Sequence, residues 1–165
     1  MPVPVNDADR LWALASACAP EPLDRAARIP AGLARLPGEY LLAVQGPALV
    51  PHLALTNQRL VWLERGVPRA LRLAAVTGLR WTAVSRSAGL LDVETLSGAR
   101  VADIPTGPEG TALKDRLRRA AVAAAELPRR FGPDGRTVVL RNLDLMLERG
   151  ALAPEEYVEA AAAWR

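Results

Sequence analysis

The sequence predicts an α+β protein: a seven-stranded antiparallel sandwich or partly open barrel capped by a C-terminal helix, with N-terminal helices and a C-terminal helical hairpin. Three observations carry this. Of 165 residues, 50% are apolar and 24% charged, the balance of a globular chain. From Glu39 to Pro105, short apolar stretches are broken by turn residues at intervals of about 8 to 12 positions, the rhythm of antiparallel strands. On both flanks the apolar spacing becomes helical.

The elements follow in order. Asn6 or Asp7 can cap a first helix whose Leu11, Leu14, Ala15 and Cys18 fall on one face, and Pro20 and Pro22 stop it. A weaker helix covers Leu23 to Leu36, and Pro37-Gly38 closes the segment. Strands are expected near Tyr40–Gln45, His52–Thr56, Arg59–Glu64, Arg69–Ala74, Gly78–Val84, Leu90–Thr95 and Val101–Ile104. Leu91, Val93 and Thr95 alternate with Asp92 and Glu94, as on a half-buried strand. Thr106-Gly107-Pro108-Glu109 has the form of a capping box opening a helix with Leu113, Leu117, Ala120, Ala121 and Ala124 on its apolar stripe. Residues 127–136 read as a linker between a body at 37–126 and a hairpin at 137–165, with 1–36 as a separate helical segment. In the hairpin, Val139, Leu143, Met146 and Leu147 line one arm, Gly150 ends it, and Tyr157, Ala161 and Trp164 line the other.

Composition narrows the chemistry. One histidine, His52, and one cysteine, Cys18, leave no disulfide framework, no Cys/His zinc site and no two-histidine catalytic device. No Walker spacing or nucleophile elbow is present. Asp92 and Glu94 share one side of a strand and read as a solvated outer face. No catalytic residue, cofactor or metal is therefore expected. No run reaches the roughly 18 apolar residues of a membrane span, and the N-terminus lacks a secretory pattern, so the expected compartment is the cytoplasm. The net charge of +3 comes from 21 basic and 18 acidic groups. Arg65, Arg69, Arg72, Arg80, Arg116, Arg118 and Arg119 form the candidate surface for a polyanion, a nucleic acid or a lipid headgroup. In the Arg59–Glu64 strand both alternating sets are apolar, so both sheet faces must be covered, by the N-terminal helices with Trp12 or by a second subunit.

Two resemblances add to this reading. Pro37-Gly38-Glu39, Leu55-Thr56-Asn57-Gln58-Arg59-Leu60, the strand Arg69–Leu73, the Val76-Thr77 step and a closing amphipathic helix resemble a bacterial PH-like domain of the YokE-like kind. That resemblance implies a seven-stranded bent sheet capped by a helix; its most specific element, Thr-Asn-x-Arg-Leu, falls on a hairpin. In lipid-binding PH domains basic residues around the first hairpin grip the headgroup, whereas here that loop, 46–51, carries no cation. Leu143, Met146, Glu148-Arg149-Gly150, Leu152, Pro154-Glu155-Glu156-Tyr157 and Trp164 are similar to the short C-terminal module called SHOCT, with Ala153 where that family usually has a capping Thr. This second resemblance implies oligomerisation or tethering and no catalytic residue. The expected function is a non-enzymatic protein-interaction module. It self-associates through Leu143, Met146, Leu147, Tyr157 and Trp164, with docking of the hairpin on its own chain as the other possibility. A peripheral membrane or polyanion binder is the alternative function.

Overall fold

Seven strands and three helices are seen in the computed structural model, which describes residues 38–45, 53–65, 67–107, 109–127 and 135–165. The expected N-terminal helices with Trp12 and Cys18, the loop 46–51, His52 and the linker residues 128–134 lie outside the described residues.

Strands β1 (Leu41–Gln45), β2 (Leu53–Thr56), β3 (Arg59–Glu64) and β4 (Val67–Arg72) form one antiparallel sheet in sequence order. Strands β5 (Val76–Ala83), β6 (Gly89–Thr95) and β7 (Arg100–Thr106) form a second. No strand pair joins the two sheets among the described residues, so the architecture is a pair of sheets and not a closed barrel. β4 and β7 are edge strands. That position lets Pro68 and Pro105 sit within them, because an edge residue need not donate to a ladder on both sides. Beyond β4 the chain tightens into a 3-10 turn, Leu73–Ala75, where the sequence suggested more strand.

The helix α1 (Gly110–Glu126) follows the second sheet. The capping box expected at Thr106 is not formed: β7 runs on through Pro105 and takes Thr106 as its last residue. The Thr106 hydroxyl oxygen instead accepts the Trp81 indole N–H at 2.8 Å. Glu109 is the residue before the helix and makes no side-chain cap. Gly89 and Gly110 flank the Trp81 ring so closely that a Cβ on either would overlap it. Leu113, Leu117, Ala120, Ala121 and Ala124 are buried, as their spacing predicts.

The helices α2 (Gly135–Glu148) and α3 (Pro154–Ala162) form the hairpin. Gly150 adopts φ +75, a conformation that costs glycine little. Around it the Ala151 N–H reaches the Met146 carbonyl at 2.8 Å and the Gly150 N–H reaches Leu147 at 3.0 Å, the paired bonds of a Schellman stop. At the start of α3 the Glu156 carboxylate accepts the Ala153 N–H at 3.1 Å, but Ala153 has no oxygen to return the bond. Ala153→Thr should complete this reciprocal cap and raise stability by about 1 kcal/mol in a urea melt.

A single apolar cluster runs through the molecule. Leu42, Leu53, Leu55, Leu60, Trp62 and Leu73 meet Leu91, Val93 and Ile104 of the second sheet, then Leu113 and Leu117, then Val139, Leu143, Met146 and Trp164. The hairpin is thus docked on its own chain through α1.

Candidate functional site

The Thr56-Asn57-Gln58-Arg59 turn between β2 and β3 is an anchor for the rest of the fold. Arg59 grips Glu39 with two bonds, Nε to Oε2 at 2.8 Å and Nη2 to Oε1 at 3.0 Å, and the two side chains are 8% and 0% exposed. The Thr56 hydroxyl donates to the same carboxylate at 2.8 Å and accepts the Gln58 and Arg59 backbone N–H groups. Asn57 accepts the Tyr40 N–H at 2.6 Å and donates to the Gly38 carbonyl at 3.0 Å and to Asn142 of α2 at 2.9 Å. Gly38, at φ +70, lies so near Val139 that a Cβ there would stand 2.8 Å from its methyl. The motif that carries the PH-like resemblance therefore does structural work, tying β1, the β2–β3 turn and α2 together.

The five expected contacts of the hairpin are placed as follows. Leu143, Met146 and Trp164 are buried in the common core, while Leu147 and Tyr157 are half-buried. The Tyr157 hydroxyl donates to Asp144 at 2.6 Å. Three of the five therefore face the chain's own core, the placement expected where the hairpin docks on its own chain.

The candidate basic surface is not gathered into one patch. Arg65 is exposed at the β3–β4 turn, where it adopts φ 50. Arg69 pairs with Glu64 at 3.1 Å in an exposed bridge. Arg72 stands opposite Arg59 across the ladder, on the side away from the core cluster as expected, but is half-buried there. Arg80 lies opposite Asp92 on the second sheet. Arg116 is committed internally: it bonds the carbonyls of Leu42 and Ala151 and the Glu156 carboxylate, so it fastens the hairpin to β1. Arg119 approaches the Gly150 carbonyl at 3.5 Å. Asp92 accepts the Asp103 N–H at 3.0 Å and bonds Arg100; these two contacts, the backbone one first, hold its carboxyl below the ordinary carboxylate range.

A groove with room for a partner lies elsewhere. Among the described residues β5 is an edge strand, and four consecutive residues, Val76, Thr77, Gly78 and Leu79, form one wall of a groove. Four consecutive residues can line one groove beside α1 because a bulge breaks the strict alternation of side chains at Val76–Gly78. The other wall is Arg118, Ala121, Val122 and Ala125, an i, i+3, i+4, i+7 stripe of α1. The groove encloses about 240 Å³. A bulge between Val76 and Gly78 shifts the register with β6. Small residues on α1 keep the groove open, and among the described residues that line it Arg118 is the charged one.

Comparison with family models, curated proteins and solved structures gave no match. The chain's own geometry is thus the basis for its function. Among the described residues, no three His, Cys, Asp or Glu side chains are placed to hold a metal ion, and no helix is long and apolar enough to cross a membrane.

Sequence reading missed the groove because Ala121 counted towards the core stripe and Val122 and Ala125 towards neither face. It missed Asn142 for another reason. A lone amide in an apolar helix gives no pattern, and only the Asn57 contact reveals its role.

Proposed function

We propose that this chain is a protein-interaction module without catalytic activity, built on a PH-like body, which binds an extended peptide along the free edge of β5. The observation that carries this reading is the apolar groove between the β5 edge and α1. An unpaired strand edge offers backbone donors and acceptors, and an adjacent apolar wall selects alternate side chains of an added strand. Arg118 favours a peptide with a carboxylate at that end; its nearest acid, Asp115, is 3.8 Å away in an exposed pair. The four-plus-three strand order with a closing helix supports the PH-like assignment, and the Gly150 stop and Glu155-Glu156-Tyr157 start support the SHOCT-like one. The hairpin acts as a clamp in this reading. Self-association, where it occurs, uses surfaces other than Leu143, Met146 and Trp164.

Selection from a displayed library of random dodecapeptides on the full chain tests the proposal. Enriched peptides should alternate aliphatic residues and include an acidic one. Val122 is 44% exposed, so Val122→Glu should leave the melting temperature unchanged yet weaken binding by roughly tenfold or more, about 1.4 kcal/mol. Peptides that bind this variant as well as the parent, or no enrichment at all, would remove the groove from consideration.

A further inference from the structure

The groove has a counterpart on the other side of the same strand. Side chains alternate along β5 and β6, so Leu79, Leu91 and Val93 pack on the core while Gly78, Arg80, Asp92 and Glu94 fall on the outer face. With Leu79 and with Arg100 of β7, these four outer residues line a second cavity of about 240 Å³. Gly78 and Leu79 line both cavities, which therefore open on either side of one short stretch of the β5 edge.

The outer cavity is charged where the inner groove is apolar. Arg100 is engaged with Asp92, whose other oxygen accepts the Asp103 N–H at 3.0 Å. Arg80 and Glu94 are exposed, and among the described residues neither makes a hydrogen bond through its side chain. Arg80 lies on β5 itself. Glu94 reaches the edge because Gly78, its partner in the ladder, has no side chain: a Cβ there would stand 2.9 Å from a Glu94 carboxylate oxygen. The edge thus presents a cation at Arg80 and an anion over Gly78, with the apolar groove at Leu79 between them on the opposite face.

We infer that the segment bound at β5 belongs to another protein and carries an acid, an aliphatic residue and a base in succession. The acid meets Arg80, the aliphatic side chain enters the groove beside Leu79, and the base meets Glu94. This rests on the reading that a strand adds to this edge. Opposed residues of neighbouring strands share a face, so a strand that sends one side chain into the groove sends the next on either side into the outer cavity. Every strand pair among the described residues is antiparallel, the more stable pairing, and this sets the order acid, aliphatic, base from the N-terminus. The chain itself lacks a suitable occupant. Within residues 1–37, 46–52 and 128–134 no acid and base stand two positions apart. The same edge of a second copy would bring Gly78, Leu79 and Arg80, with no acid for Arg80.

Two dodecapeptides of one composition test the order by fluorescence anisotropy with the full chain. One is centred on Val-Glu-Val-Lys-Val and the other on Val-Lys-Val-Glu-Val, each between Ser-Gly flanks. The first should bind about fivefold more tightly, since opposite charges across a strand pair attract and like charges repel. That preference should shrink in about 1 M salt, where the screening length falls to about 3 Å. The variant Arg80→Gln/Glu94→Gln should bind the two alike and melt with the parent, whereas Arg118→Gln, on the α1 side, should keep the preference. Equal affinities in the parent, both weakened by Val122→Glu, would overturn the charge order and leave the groove as the site. A preference that depends on Arg118 instead of Arg80 and Glu94 would overturn it as well, because the acid would then lie on the α1 face. If neither peptide binds while the random library still yields ligands, the triplet alone is overturned; if the library yields none, the groove falls with it. A dimer in light scattering that excludes both peptides would put a second copy on the edge and overturn both readings.

Discussion

A chain cut after Glu126 should fail to give a cooperative melt. The cut removes Val138, Val139, Leu143, Leu145, Met146, Leu152 and Trp164, all buried in the cluster that also holds Leu42, Leu60 and Leu117. Large apolar side chains contribute about 1.5 to 3 kcal/mol each on full burial. Several of them together exceed the roughly 5 to 15 kcal/mol by which a whole domain is stable. Arg116 would also lose its acceptors on Ala151 and Glu156. Far- and near-ultraviolet circular dichroism during heating would measure the outcome. A sharp transition near that of the full chain would mean that the sheets and α1 stand alone and the hairpin is an appendage. Within the full chain, Leu143→Ala should cost about 2 to 5 kcal/mol by the same reasoning.

The second large effect concerns the Glu39–Arg59 pair. Both side chains are almost fully shielded from water, and their attraction is offset by the cost of desolvating them. Removing one partner takes a two-bond ion pair from a charge that stays buried, so Glu39→Gln or Arg59→Met should each destabilise by about 3 to 5 kcal/mol. The double variant Glu39→Leu/Arg59→Met should recover part of that loss, since it removes both buried charges together. Urea melts of the three variants would give the coupling energy. Strict additivity would show that the two residues act independently in spite of their two short bonds.

Much of the fold was legible in the sequence because period-two and helical spacing survive in single residues. All seven strands occur where short apolar stretches were bounded by turn residues, and Gly150 ends its helix as placed. The errors share a cause. Pro68 and Pro105 read as breaks, yet edge strands accommodate them, so β4 starts earlier and β7 ends later than proline suggested. The capping box at Thr106 failed for the same reason. In β7, Ala102 and Asp103 stand opposite Asp92 alone, and Asp103 takes φ 59; no local pattern announces that bulge. Of the site, little was legible. A groove depends on which sheet edge lies beside which helix, and an arginine's availability depends on acceptors far along the chain. Arg116 looked like one more exposed cation until Leu42 and Ala151 were brought to it.

The hydrogen bonds that close the molecule span long stretches of chain: Asn57 to Asn142 across 85 positions and Tyr40 to Glu159 across 119. Each must wait for a large loop to close, at an entropic cost that grows with the logarithm of loop length. Such non-local pairing slows folding relative to a helical protein of equal size. It also removes the natural seams at which a protein opens piecemeal. Amide protons of β2 and of α2 should therefore exchange with deuterium at one common, slow rate, through the same opening of the whole molecule.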